Sequence, residues 1–198
     1  PEVWDLLDSI SNEDAKNIHL CWITNMTKVG YKGYVLEDVI EKFGEVSFNV
    51  SCDHYGIKDS WIRYPIDISI FEQNLMKYKK YVSKIQVTVG VLNATDLIEI
   101  REYYNKLFGL RSDARGLVDF TNIVAGDTGN IIHFPKEHKQ LLIDKYKGEK
   151  DFSVVVETLI GPLEDKCEDV YLENLNFCQR LSDHRKFQFR DIWDNIPL

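Results

Sequence analysis

Residues 46–65 read VSFNVSCDHYGIKDSWIRYP. In an extended strand Val46, Phe48, Val50 and Cys52 fall on one face, and Ser47, Asn49, Ser51 and Asp53 on the other. His54 to Asp59 then forms a polar turn that hands the strand over to a helix. Such a strand rests its apolar face on covering helices and turns its polar face to a lumen. Polar side chains facing a packed interior would be too costly unless water or a ligand met them.

The same two-faced pattern recurs on both sides of this stretch. In residues 85–92 (IQVTVGVL), Ile85, Val87, Val89 and Val91 oppose Gln86, Thr88 and Gly90. In 18–23 (IHLCWI), Ile18, Leu20 and Trp22 oppose His19 and Cys21. In 117–124, Val118 and Phe120 oppose Asp119 and Thr121. Helical periods separate these strands. One helix runs over 1–14 and one over 34–43, closed by Gly44. A third follows Pro65, with Phe71, Leu75, Tyr78 and Val82 on its stripe. A fourth carries Leu97, Ile100, Tyr104 and Leu107 and is capped by Asn93 or Thr95. Pro135 opens a fifth, reaching about Tyr146. Residues 152–160 read as a helix whose stripe continues to Leu163, with Gly161-Pro162 as its stop. Residues 163–181 read as another, with Tyr171, Leu175 and Cys178 on one side, and 187–198 as a short docked tail.

Strict alternation with short connections implies a parallel sheet with right-handed crossovers. An open doubly wound sheet buries both strand faces and would show continuous apolar runs. The polar faces here predict an α/β fold of a different kind: a parallel partial (β/α) TIM-type barrel over residues 1–150, followed by a C-terminal helical extension over 151–198.

The chain has 198 residues, 44% hydrophobic and 28% charged, which suits one globular domain with a real core. Lys and Arg number 24 against 32 Asp and Glu, a net charge of −8. That balance argues against nonspecific nucleic-acid binding, which needs a basic face. No apolar run approaches a membrane span and the first residues are not a signal peptide, so the expected compartment is the cytoplasm. The opening PEVWDLLDSI has no Met, and the expectation is that the sequence starts inside a longer protein. Cys21, Cys52, Cys167 and Cys178 have no CxxC-like spacing and offer no metal motif. Cys167 and Cys178 on one helix would stand about 16 Å apart, too far for a disulfide. The N-x-S/T triplets at Asn25, Asn49 and Asn93 read as chance.

Ligand sites of parallel α/β folds lie at the carboxyl ends of the strands. Those ends carry Thr24, Asn25, Ser51, Asp53, Asn93 and Asn122, and Gly90 would let a ligand approach the wall. Strand ends also need such residues for turns and caps. No GxGxxG, P-loop, HExxH or GxSxG is present. Of five scattered histidines, His19 on the lumen face and His54 after the central strand are the two to watch.

FNVSCDHYGIKDSWIRYP resembles the fourth strand and following segment of radical S-adenosylmethionine enzymes. ITNM at 23–26 is similar to the Thr-Asn-Gly ending that family's third strand, and VTVGVLN at 87–93 to its fifth strand with a terminal Asn. LSDHRKFQFRDIW at 181–193 resembles the closing segment of members with a short "twitch" extension. His54 and Met26 stand where the family has Gly. The CxxxCxxC loop and the Gly-Gly-Glu-Pro segment are absent, so the chain resembles the C-terminal two-thirds of such a protein.

The resemblance implies S-adenosylmethionine as cofactor, and a 4Fe-4S cluster whose ligands are not in this chain. The reaction implied is hydrogen abstraction by a 5′-deoxyadenosyl radical from a peptide or small-molecule substrate. It implies a pocket formed by Thr24, Asn25, Ser51, Asp53, Arg63 and Asn93, with no metal ligand among them. It also implies a separate N-terminal half or partner chain covering the open barrel edge. Two other readings stand beside it: a non-catalytic binding module of the same fold, and an unrelated TIM-barrel aldolase or hydrolase.

Overall fold

The structure is a computed structural model and describes residues 2–126, 128–161, 167–185 and 188–193. In chain order its elements are α1 (Glu2–Ser9), α2 (Asn12–Ala15), β1 (His19–Thr24), β2 (Gly30–Tyr31), β3 (Tyr34–Val35), α3 (Leu36–Lys42) and β4 (Glu45–Ser51). Then come α4 (Gly56–Ile62), α5 (Ile68–Lys77), β5 (Val82–Val89), α6 (Leu97–Leu107), β6 (Val118–Ile123) and α7 (Lys136–Tyr146). The chain closes with α8 (Ser153–Ile160), α9 (Cys167–Leu181) and α10 (Phe189–Ile192).

Four strands form one sheet in the order β1-β4-β5-β6, and all three pairings are parallel. Each strand therefore lies beside the next sheet strand in sequence. A right-handed crossover to an adjacent strand puts every connecting helix on the same side. Burial agrees. Val46, Phe48, Val50, Ile85, Val87, Val89, Val118 and Phe120 are buried, whereas Ser47, Asn49, Ser51, Gln86, Thr88 and Asp119 are only half-buried. The sheet is thus covered on one face, as the alternation in the sequence predicts.

The uncovered face is polar and bonded sideways. His19 Nε2 lies 2.9 Å from Ser47 Oγ, and the Asn49 amide donates to Cys21 Sγ at 3.8 Å. Ser83 Oγ donates to Asn49 Oδ1 at 2.7 Å, and Lys84 pairs with Asp119 at 3.1 Å. Ile23 is the apolar exception, 63% exposed.

Several local expectations are corrected. The first helix breaks at Ser11, whose hydroxyl caps α2 by accepting from Asp14 N. The loop around Gly30–Gly33 is a small antiparallel ribbon, β2 with β3, turned by Lys32 and Gly33 at positive φ. The polar turn expected over 54–59 gives way at Gly56 to α4, which has no apolar stripe and presents Asp59 and Trp61 inward. β5 begins at Val82 and stops at Val89, so Val91 and Leu92 are turn residues. Asp96 occupies the N-cap of α6, and neither Asn93 nor Thr95 does. Leu163 and Pro162, and residues 186–187 and 194–198 of the expected tail, lie outside the described residues.

The helices after residue 151 share the core beneath the sheet. Phe152 meets Phe120 at 5.0 Å between ring centroids, Tyr171 meets Phe134 at 5.4 Å, and Trp193 meets Trp61 at 5.0 Å. Arg101 on α6 adds a clamp, donating to Glu149 and Asp151 at 3.1 Å each.

Gly90 follows β5 where the chain turns. A Cβ there would lie 2.8 Å from Val124 Cγ2 and 2.9 Å from Gly129 O. The space beside Gly90 is filled by the protein's own loop, with Val91 N donating to Gly129 O at 2.9 Å. The missing Cβ is therefore required by this loop contact, and Gly90 also lines a cavity at the ends of β4 and β5. Gly90→Ala is expected to destabilise the protein by about 1–3 kcal/mol, as overpacking does. Urea unfolding measures it; an unchanged midpoint would show that the loop yields freely.

Candidate functional site

Beyond the backbone bond from Cys52 N to Gln86 O at 3.0 Å, the carboxyl ends of β4 and β5 are tied by side chains. Asp53, just past β4, accepts from Thr88 N with one oxygen (3.0 Å) and from Arg63 Nε with the other (2.9 Å). Asn93 donates to Asp53 O at 2.7 Å and Thr88 O at 3.0 Å, while its own oxygen accepts from Gly90 N at 2.8 Å. Asn93 is 2% exposed, and both its amide protons are in use. Its main work is to lock two strand ends together.

Asp59 on α4 is fully buried, and Oδ1 accepts from Asp53 N (2.8 Å) and His54 N (2.9 Å). Its second oxygen, Oδ2, is buried without a hydrogen-bond partner. Burial raises its pKa to about 6, against the lowering effect of the Asp53 backbone bond and of Arg63. Cys52 and Tyr104 lie close by, and burial pushes both of their pKa values well up. The Cys52 thiol is therefore not poised as a nucleophile.

His54 is also buried. Its Nδ1 accepts from Tyr55 N at 2.9 Å, which leaves Nε2–H to donate to Asp96 Oδ2 at 3.0 Å. Lys58 donates to the same oxygen at 2.5 Å. Burial lowers the His54 pKa even though Asp96 opposes it. For Asp96 burial acts upward, but hydrogen bonds from His54, Lys58 and Thr95 overcome it and hold the carboxyl well below its usual range. This group joins the β4 end to the start of α6.

Two cavities flank the Asp53–Arg63 pair. One, of about 440 Å³, has Asp53, Thr88 and Asn93 at its polar end and Val91, Leu92, Phe177 and Leu181 among its walls. The other, of about 590 Å³, is lined by Asn25, Lys28, Arg63 and Asp67 among others. Arg63 bonds Asp53 through Nε alone, and its Nη atoms carry no hydrogen bond among the described residues.

The structure therefore brings Asp53, Arg63 and Asn93 together, with Asn25 across the second cavity from Arg63. Ser51 and Thr24 do not join them. Ser51 lies on the uncovered sheet face, half-buried, and lines neither cavity. Thr24 turns to the covered side beside Trp22 and Phe48, and its hydroxyl accepts from Met26 N at 3.0 Å. Asn25 caps its own turn, accepting from Thr27 N and Oγ1. Asp59, Lys58 and Asp96 escaped sequence reading, because their partners lie far along the chain or on the backbone.

Among the described residues no three His, Cys, Asp or Glu side chains gather as they would to hold a metal ion. Cys21 is exposed on the open face, Cys52 is buried under β4, and Cys178 is buried on α9. These thiols do not fit a four-iron cluster. Among the described residues no helix is long and apolar enough to cross a membrane.

No protein-family description, no curated protein and no solved structure matches this chain.

Proposed function

We propose that this chain is the ligand-holding part of a radical S-adenosylmethionine enzyme, built as a partial (β/α) barrel. The observation carrying the reading is the parallel sheet in chain order, with one polar face uncovered and a charged rim at its carboxyl ends. A barrel segment has that order and that one-sided covering.

The donor set at the rim suits a zwitterion with a ribose. Among the described residues the Nη groups of Arg63 are unengaged, and a guanidinium binds a carboxylate as a two-pronged fork. Each Asp53 oxygen keeps a lone pair for a hydroxyl after its bond to Thr88 N or Arg63. S-Adenosylmethionine, when bound in such enzymes, supplies the radical precursor. In this chain Arg63 holds the carboxylate, Asp53 orients Arg63 and accepts from ribose, and Asn93 fixes the strand ends carrying both. Because the thiols do not fit a cluster, no redox step is assigned to this chain; the cluster ligands would come from a separate N-terminal half or partner chain, and the substrate is a peptide or small molecule.

Calorimetric titration of S-adenosylmethionine into the chain is expected to show saturable binding. Arg63→Ala should weaken it by about 1.5–3 kcal/mol, the value of a hydrogen bond to a charged group. Thermal melting of the variant checks that it folds. No binding to the native chain, or an unchanged affinity in the variant, would overturn the assignment.

A second outcome concerns iron. After anaerobic reconstitution with iron and sulfide, the chain alone is expected to retain no stoichiometric cluster. Four irons and four sulfides per chain would show that its cysteines converge in solution.

A further inference from the structure

Arg185 follows α9 and sits where two cavities meet. One is the 440 Å³ cavity at the ends of β4 and β5; the other, of about 360 Å³, is lined by Ser60, Tyr64, Pro65 and Asp67 among others. Trp61 and Arg185 line both. The guanidinium stacks on the Trp61 indole, 4.0 Å from Cζ to the ring centroid, and Nη1 donates to Trp61 O. No carboxylate pairs with it among the described residues. Arg63, by contrast, has Asp53, and Arg101 has Glu149 and Asp151.

A guanidinium without a counter-ion is costly in an apolar setting. The walls shared with Arg185 include apolar Val91, Leu92, Phe177 and Leu181, and the carboxylate among them, Asp53, is engaged by Arg63 and Thr88 N. Burial lowers its pKa from the ordinary value, and the charge remains. The net charge of −8 means that the protein as a whole does not attract anions. An anion reaching this cavity would be drawn by Arg185 itself.

We propose that the 440 Å³ cavity binds an organic monocarboxylate with an apolar body, its carboxylate held by Arg185 and its body against Leu92, Phe177 and Leu181. Stacking on Trp61 fixes the plane of the guanidinium, and the nitrogens not bonded to Trp61 O are left to form a fork on the carboxylate. Small-ligand sites commonly combine apolar walls with a few placed polar groups. The inference goes beyond the S-adenosylmethionine reading, because it concerns a different arginine and is tested with no S-adenosylmethionine present.

The probes are 3-phenylpropionate and its uncharged amide, titrated calorimetrically into the full chain. The acid is expected to bind at least tenfold more tightly than the amide. Arg185→Gln should abolish that preference, and Arg185→Lys should keep part of it. Leu181→Phe, which fills the cavity without touching the charge, should weaken both probes at least tenfold. Circular dichroism and thermal melting confirm folding; if Arg185→Gln does not fold, Arg185→Lys and Leu181→Phe carry the test. Equal affinity for acid and amide, no binding of the acid at millimolar concentration, or an undiminished preference in folded Arg185→Gln would overturn the proposal. Unchanged binding in Leu181→Phe would overturn the choice of cavity.

Discussion

Asn93→Ala is expected to destabilise the fold by roughly 3–5 kcal/mol, because the lost carboxamide satisfies three backbone groups at once. Asp53 O, Thr88 O and Gly90 N would all lose a partner in a place where Asn93 is 2% exposed. Leaving one buried group unsatisfied costs about 1–3 kcal/mol, and the three losses are not strictly additive. Asn93→Asp is a sharper variant. It keeps an acceptor for Gly90 N but puts a carboxylate against two carbonyl oxygens, so it should be at least as damaging above its pKa. Denaturant unfolding at neutral pH measures both. A loss below 1 kcal/mol for the alanine variant would mean that water replaces the amide and that the strand ends are not locked by it.

Asp59 is expected to make stability depend on pH in the opposite sense to an ordinary salt-bridged acid. Its folded pKa is raised to about 6 from 3.8. The folded state therefore binds the proton more tightly than the unfolded chain, and this group's contribution weakens as pH rises from about 4 to 6. Integrated over that shift, the change is at most about 3 kcal/mol. His54 acts the other way in part of the same range, because its pKa is lowered on folding: its contribution is present above the unfolded value and is lost as pH falls from there through the lowered folded value. The comparison that isolates Asp59 is wild type against Asp59→Asn. An asparagine can still accept from Asp53 N and His54 N and has no charge to bury. The stability of Asp59→Asn relative to wild type should rise by up to about 3 kcal/mol between pH 4 and pH 7. A difference that stays flat across this range would show that the carboxyl is ionised throughout and that its second oxygen is met by water.

The sheet was legible because its signal is local and repeated. Val46, Phe48, Val50 and their counterparts in β5 alternate with polar residues, and that alternation requires one covered face. The short helix α4 was not legible. Its inward residues are Asp59 and Trp61, so no apolar stripe marks it, and what holds it in place includes two backbone N–H groups that converge only after the chain has turned. Of the candidate site, Asp53 and Asn93 were readable as polar residues near strand ends, whereas Arg63, expected at the start of a helix, sits at the C-cap of α4. Their division of labour was not readable, since Asn93 spends its amide on the backbone of two strands. Thr24, expected at the rim as a polar strand end, instead continues the Leu20 and Trp22 side of β1, and its hydroxyl accepts from Met26 N. The carboxylate shared by His54 and Lys58 was beyond reach, because Asp96 sits on the far side of α5 and β5 in sequence.

The order of the sheet has a consequence for how the chain acquires its structure. β4 docks beside β1, β5 beside β4 and β6 beside β5, so every strand emerging during synthesis finds its neighbour already made. No strand has to wait for a later one to be inserted between earlier ones. Pairings of this kind close moderate loops and keep contact order low for a parallel sheet, which favours rapid, stepwise growth from the N-terminal side. Among the described residues β6 is the last strand in this order, and the Phe120–Phe152 and Trp61–Trp193 contacts form only when the helices after residue 151 arrive. Those helices therefore close over a sheet that has been built outward one strand at a time.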